Sequence, residues 1–86
     1  MDLYARWKKL EMIHQSILHR STGTPDQLAQ RAGIARRTLY EYLLQLKSLG
    51  AEIKYNKTGK YFFYANYFDI QIYIDYRPSD DSYNLK

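Results

Sequence analysis

Gly33 stands between a short helical pattern and a longer one, and its freedom at positive φ suits a tight turn that sends the chain in a new direction. The short pattern opens at Thr24, an N-cap residue followed by Pro25 at the first helical position and by Gln27 where a capping box places Glu or Gln. It presents Leu28, Ala29 and Ala32 to one side. The longer pattern runs from about Ala35 or Arg36 to Leu49, with Leu39, Leu43, Leu46 and Leu49 as its apolar stripe and Gly50 as its stop. Its remaining faces carry Arg36, Arg37, Tyr40, Glu41, Gln45 and Lys47. Two helices joined in this way need a small residue at their closest approach, a glycine in the turn and apolar residues that lock the pair. Ala29, Gly33, Ile34, Leu39 and Leu43 meet those needs in order.

On the N-terminal side, Leu3, Trp7, Leu10, Ile13, Ile17 and Leu18 recur at three- and four-residue steps and predict an amphipathic helix that ends near the turn-forming Ser21, Thr22 and Gly23. After Gly50 the period becomes two. Ile53-Lys54-Tyr55, the tip Asn56-Lys57-Thr58-Gly59 and Tyr61-Phe62-Phe63-Tyr64 read as a β-hairpin with a basic loop. A further strand is expected where Phe68, Ile70, Ile72, Ile74 and Tyr76 alternate with polar residues and Tyr73, and a polar tail where Pro78 and an acidic pair follow. The order predicts an α+β chain: a three-helix winged helix-turn-helix with a C-terminal β-hairpin wing and an extra strand. One domain is expected over residues 1–76 and a polar, flexible tail over 77–86. No internal repeat is found.

With 86 residues and no cysteine, the chain can hold one core, without disulfides or thiolate metal ligands, and has little room for a large catalytic cavity. No apolar run is long enough for a membrane span, and Asp2 and Glu11 interrupt the region where a signal peptide would lie, so a cytoplasmic protein is expected. The net charge of +4 is unevenly spread. Residues 31–60 carry seven basic and two acidic side chains, whereas residues 61–86 carry two basic and four acidic ones. A basic middle on an otherwise balanced chain suits a nucleic-acid partner, and a solvated surface explains it equally well on composition alone.

The stretch LAQRAGIARRTLYEYLLQLKSLG resembles the helix-turn-helix segment of DeoR-type regulators and of biotin-operon-like repressors, in which glycine, a hydrophobic residue and Ser-Arg-Arg-Thr open the recognition helix. The basic hairpin looks like their wing, and the likeness covers roughly residues 3–65. The resemblance implies a small bacterial transcription regulator that binds double-stranded DNA, with the helix at about 35–49 in the major groove and the wing at about 54–61 on backbone or minor groove. Arg36 and Arg37 then become candidates for bidentate contacts to guanine, Thr38 for a phosphate or a thymine methyl, and Tyr40 and Gln45 for bases or backbone. Glu41 could accept from cytosine or repel phosphate. The sequence departs from the family at Ala35, where Ser or Thr usually caps the helix; alanine there costs about 1 kcal/mol.

Two cations at the positive end of a helix dipole are awkwardly placed without an anionic partner, which favours a functional reading of Arg36 and Arg37 over a solvated helix start. Lys54, Lys57 and Lys60 could reach a neighbouring groove, or could simply keep an exposed hairpin soluble. Seven of the ten tyrosines fall after residue 50. Stacking on unpaired bases, as in a single-strand binder, would use such residues, whereas pairing across strands and packing on the first helix is the commoner explanation and accounts for most of them, with Tyr55 and Tyr61 kept as possible backbone contacts. The apolar strand around Ile70, Ile72 and Ile74 could fold onto the first helix beside Trp7 or form a homodimer interface. His14 and His19, read as one partly packed and one exposed histidine, have no partners for catalysis or for a metal. No enzyme activity, cofactor or small-molecule ligand is expected, and the alternative to DNA is a protein partner held by Tyr40, Glu41 and the third strand.

Overall fold

The computed structural model describes residues 2–69, and the order found there is three helices followed by an antiparallel hairpin, an α+β arrangement. Helix α1 spans Leu3–Leu18, α2 Pro25–Ala32 and α3 Arg36–Ser48. Strand β1, Ile53–Asn56, pairs with β2, Tyr61–Tyr64. Most of the expected third strand and the whole of the expected tail lie outside the described residues.

Two of the three helices start on a side-chain cap. The Asp2 carboxylate accepts the Ala5 N–H at 2.7 Å and caps α1. At α2 the capping box is formed in both directions: Thr24 Oγ1 accepts from the Gln27 N–H at 3.2 Å while Gln27 Oε1 accepts from the Thr24 N–H at 2.9 Å. Gly33 ends α2 at φ 70°, and the next amide, of Ile34, donates back to Ala29 O at 3.0 Å. That closure uses a left-handed residue, which is why glycine stands there. Helix α3 begins at Arg36 with no side-chain cap on Ala35.

The core joins Ile13 and Ile17 of α1, Leu28, Ala29 and Ala32 of α2, Leu39, Tyr42, Leu43 and Leu46 of α3, and Phe62 of β2. Full burial of one such leucine or isoleucine contributes about 1.5–3 kcal/mol. The predicted stripes run past this core at their ends. Leu3 is 77% exposed, Leu18 41% and Leu49 58%, whereas Tyr42, assigned no burial from sequence, is buried. Leu49 follows the last residue of α3, so the helical period no longer carries it inward; Tyr42 lies between Leu39 and Leu46 on the same side of the helix.

Register sets the two faces of the hairpin. Ile53 pairs with Tyr64 and Tyr55 with Phe62 facing the core, while Lys54 pairs with Phe63 and Asn56 with Tyr61 on the opposite face. The turn falls one residue later than expected. Asn56 belongs to β1 and closes residues 57–60 from the strand, its side chain accepting the Gly59 N–H and its carbonyl accepting the Lys60 N–H, both at 2.7 Å.

The hairpin is attached to the helices at two points the sequence did not disclose. Thr22, fully buried, accepts the Phe62 N–H at 2.8 Å on Oγ1 and donates to Gly23 O at 2.9 Å. Thr22→Val keeps the shape but leaves a buried N–H without an acceptor, and is expected to destabilise the fold by about 1–3 kcal/mol in chemical unfolding. Thr22→Ser should retain most of the stability. At the second point, His14 is fully buried rather than partly packed, because Tyr64 and Phe68 close over its ring. Its Nδ1 lies 2.7 Å from the Tyr64 hydroxyl and its Nε2 3.2 Å from Asp69 Oδ1. An ionised carboxylate only accepts, so the pattern assigns the Nε2 proton to the bond with Asp69 and makes Nδ1 the acceptor for Tyr64. Burial first, and then the Asp69 charge, push the Tyr64 phenol above its ordinary range, which keeps it a donor. Phe68 and Asp69, expected to begin a strand, are not in one; they belong to this latch. His19 is exposed, as expected. Among the described residues, no helix is long and apolar enough to cross a membrane.

Candidate nucleic-acid interface

The uncovered side of α3 follows from which side is buried. Successive residues turn by about 100°, so with Leu39, Leu43 and Leu46 inward, Arg37, Glu41, Leu44 and Ser48 centre the outward face. All four are exposed. Arg36 and Tyr40 lie on the flank toward α2, Thr38 and Gln45 on the flank toward α1. The two arginines thus do not share one direction.

Arg36 is already engaged. Its Nη1 is 3.4 Å from Asp26 Oδ1 in the first turn of α2, and its guanidinium carbon lies 5.9 Å from the centre of the Tyr40 ring. Tyr40 first, and the Asp26 charge after it, hold the guanidinium even more firmly protonated than usual. Both partners of the ion pair are well exposed, so the pair holds Arg36 only weakly. Arg37 has no ion-pair or hydrogen-bond partner among the described residues. It projects near the positive end of α3, whose first turn holds no acidic residue.

On the α1 flank, half-buried Thr38 and exposed Glu41 and Gln45 share an open cleft of about 400 Å³ with Tyr42 and with Arg6 of α1. Arg6 and Leu44 were not foreseen as site residues. Arg6 comes from a helix remote in sequence, and only the packing of α1 beside α3 brings it to this cleft. Leu44 is a leucine in a leucine-rich helix; only its angular position, out of step with Leu39 and Leu46, marks it as 64% exposed.

The hairpin lysines divide differently. Lys54 lies on the hairpin's outer face, and Lys57 and Lys60 lie in the tip; all three are exposed. Lys60 holds φ 59°, a left-handed conformation that glycine adopts without strain. Lys60→Gly is expected to stabilise the hairpin by about 0.5–1 kcal/mol in thermal unfolding while removing one cation from the tip. Tyr55, half-buried, packs against the core, edge-on to Phe62 at 4.9 Å. Tyr61 stays on the outer face.

Other cations act inside the fold. Arg31 donates to the carbonyls of Ser21 and Thr22 and to Ser16 Oγ, and Lys9 donates to the Ala32 carbonyl at 2.6 Å, at the C-terminal end of α2. Among the described residues, no group of three or more His, Cys, Asp or Glu side chains is placed to hold a metal ion. Two hydrogen bonds in line, from Tyr64 to His14 and from His14 to Asp69, tie β2 and the segment after it to α1. Compared with models of protein families, with curated proteins and with solved structures, the chain matches none of them.

Proposed function

We propose that this chain binds double-stranded DNA with sequence preference, as a small transcription regulator of winged helix-turn-helix design. Helix α3 enters the major groove, and the hairpin, acting as the wing, lies on the adjoining backbone or minor groove. The observation that carries this reading is the position of Arg37: central on the outward face of α3, at its uncapped positive end and without a partner among the described residues. A phosphate or a guanine edge relieves that electrostatic cost, and the fork of guanidinium donors suits guanine O6 and N7. Arg36 and Tyr40 then face one wall of the groove, Thr38, Glu41 and Gln45 the other, and Lys54, Lys57 and Lys60 supply charge from the wing.

Selection of bound duplexes from a random pool tests the reading. A short enriched motif containing guanine is the expected result. A pool that stays random after repeated rounds would overturn it.

A second reading draws on Leu44. An exposed leucine beside Tyr40 and Glu41 suits a protein partner, and the same scaffold can serve either role. A partner whose binding survives Arg37→Ala but not Leu44→Ala would favour that reading over DNA.

A further inference from the structure

We propose that the outer face of the hairpin is a stacking site for unpaired nucleotides, centred on Tyr61 and Phe63. The site goes beyond duplex recognition by α3 and does not depend on it, because it uses aromatic faces on a different element. Two residues apart on β2, Tyr61 and Phe63 both lie on the side away from the core, with ring centres 6.1 Å apart and planes at 64°. An outward hairpin face ordinarily carries polar side chains. Here it carries two large rings, and both are half-buried.

A cation partly covers them. The Arg20 guanidinium carbon lies 5.2 Å from the centre of Phe63 and 6.0 Å from that of Tyr61. Arg20 sits in the turn after α1 at φ 57°, and among the described residues only it and Lys60 are non-glycine residues at positive φ. Side chains adopt that region rarely, and both examples border this pair of rings. Gly59 also contributes: a Cβ there would run into the Tyr61 ring, so glycine is what lets the ring lie against the turn.

The charge around the rings selects the occupant. Lys54 pairs with Phe63 on the same face, Lys57 and Lys60 stand in the adjoining tip, and neither strand nor tip contains an acidic residue. Aromatic faces bordered by cations match a ligand that is itself alternately aromatic and anionic, and a single nucleic-acid strand has that chemistry. A duplex does not offer it, because its bases are stacked on one another. An apolar peptide would use the rings but gains nothing from the surrounding cations. A base stacking on Phe63 takes the place that Arg20 holds, and the displaced guanidinium then lies beside the next phosphate. Two rings fit about two successive bases.

The test uses the full chain and a short single-stranded oligonucleotide carrying iodouracil, which cross-links to an aromatic side chain it stacks on. Cross-links mapped to Tyr61 or Phe63 are expected; cross-links confined to α3 overturn the proposal, as does an absence of single-strand binding at low salt. In parallel, fluorescence anisotropy with oligothymidine should show a loss of about tenfold or more for the double variant Tyr61→Leu, Phe63→Leu. Thermal unfolding checks that this variant is folded, and the cross-link, made on the unaltered protein, does not depend on it. Unchanged oligothymidine binding by the folded double variant overturns the proposal. Arg37→Ala separates the two sites: it should leave single-strand binding within about twofold of the unaltered protein while weakening duplex binding. Ring cross-links in a protein that binds no duplex would leave this site standing and remove the duplex reading.

Discussion

Leu39→Ala is expected to leave the chain largely unfolded, whereas Leu44→Ala, five residues along the same helix, should change its stability hardly at all. Leu39 is fully buried where α1, α2 and α3 meet, so truncating it removes apolar contacts and opens a cavity, at about 2–5 kcal/mol. A core of this size supplies only about 3–5 kcal/mol in total. Leu44 is 64% exposed, and an exposed truncation lies within about 0.5 kcal/mol of neutral. Urea unfolding followed by circular dichroism measures both. If Leu44→Ala proved the costly change, the face assigned to the core of α3 would be wrong, and with it every outward residue named above.

Arg37→Ala carries the largest expected effect on function. Losing a bidentate contact to guanine would weaken binding to a preferred duplex by about 1–3 kcal/mol, roughly fivefold to 150-fold, and relax the preference at that base pair. Arg36→Ala should cost less, because that guanidinium lies on the flank of the helix beside Asp26 and Tyr40 rather than on its outward face. Titrations of the two variants against the same duplex compare them directly, with thermal unfolding to show that both remain folded. Equal losses would mean that Arg36 leaves Asp26 to share the groove. A larger loss at Arg36 would move the centre of the interface to the α2 flank.

The elements were legible because the local signals agreed. Thr24, Pro25 and Gln27 mark the start of α2, Gly33 marks its end, and the leucine spacing of α3 marks its buried side; each depends only on neighbours along the chain. The hairpin was legible from its change of period, although its tip was misplaced by one residue because the bonds made by Asn56 to Gly59 and Lys60 leave no trace in hydrophobic pattern. What the sequence concealed depends on contacts between distant residues. Thr22 reads as turn chemistry until Phe62 is seen to donate to it, and His14 reads as an isolated histidine until Tyr64 and Asp69 are brought to its two nitrogens.

The candidate site shows the same division. That Arg36 and Arg37 open α3 is plain from sequence, but their unequal surroundings follow only from the packing that brings Asp26 beside one and not the other. Tyr55 and Tyr61 looked alike as hairpin tyrosines; the register sends Tyr55 to the core and Tyr61 outward. Arg20 gave no signal at all, since a single basic residue in a turn is commonplace, and its relation to the rings of β2 exists only in the folded chain.

The most direct test of duplex recognition is the affinity for a selected duplex and for a scrambled duplex of equal length and composition, measured by anisotropy across a range of salt. The account predicts that the selected duplex is favoured by about a hundredfold or more, and that binding falls with salt at a slope of about 0.9 for each phosphate neutralised. Removing Lys57 or Lys60 should reduce that slope by about one phosphate, and Arg37→Ala should bring the two duplexes close together. Equal affinity of the unaltered protein for both duplexes, or binding indifferent to salt, would contradict it.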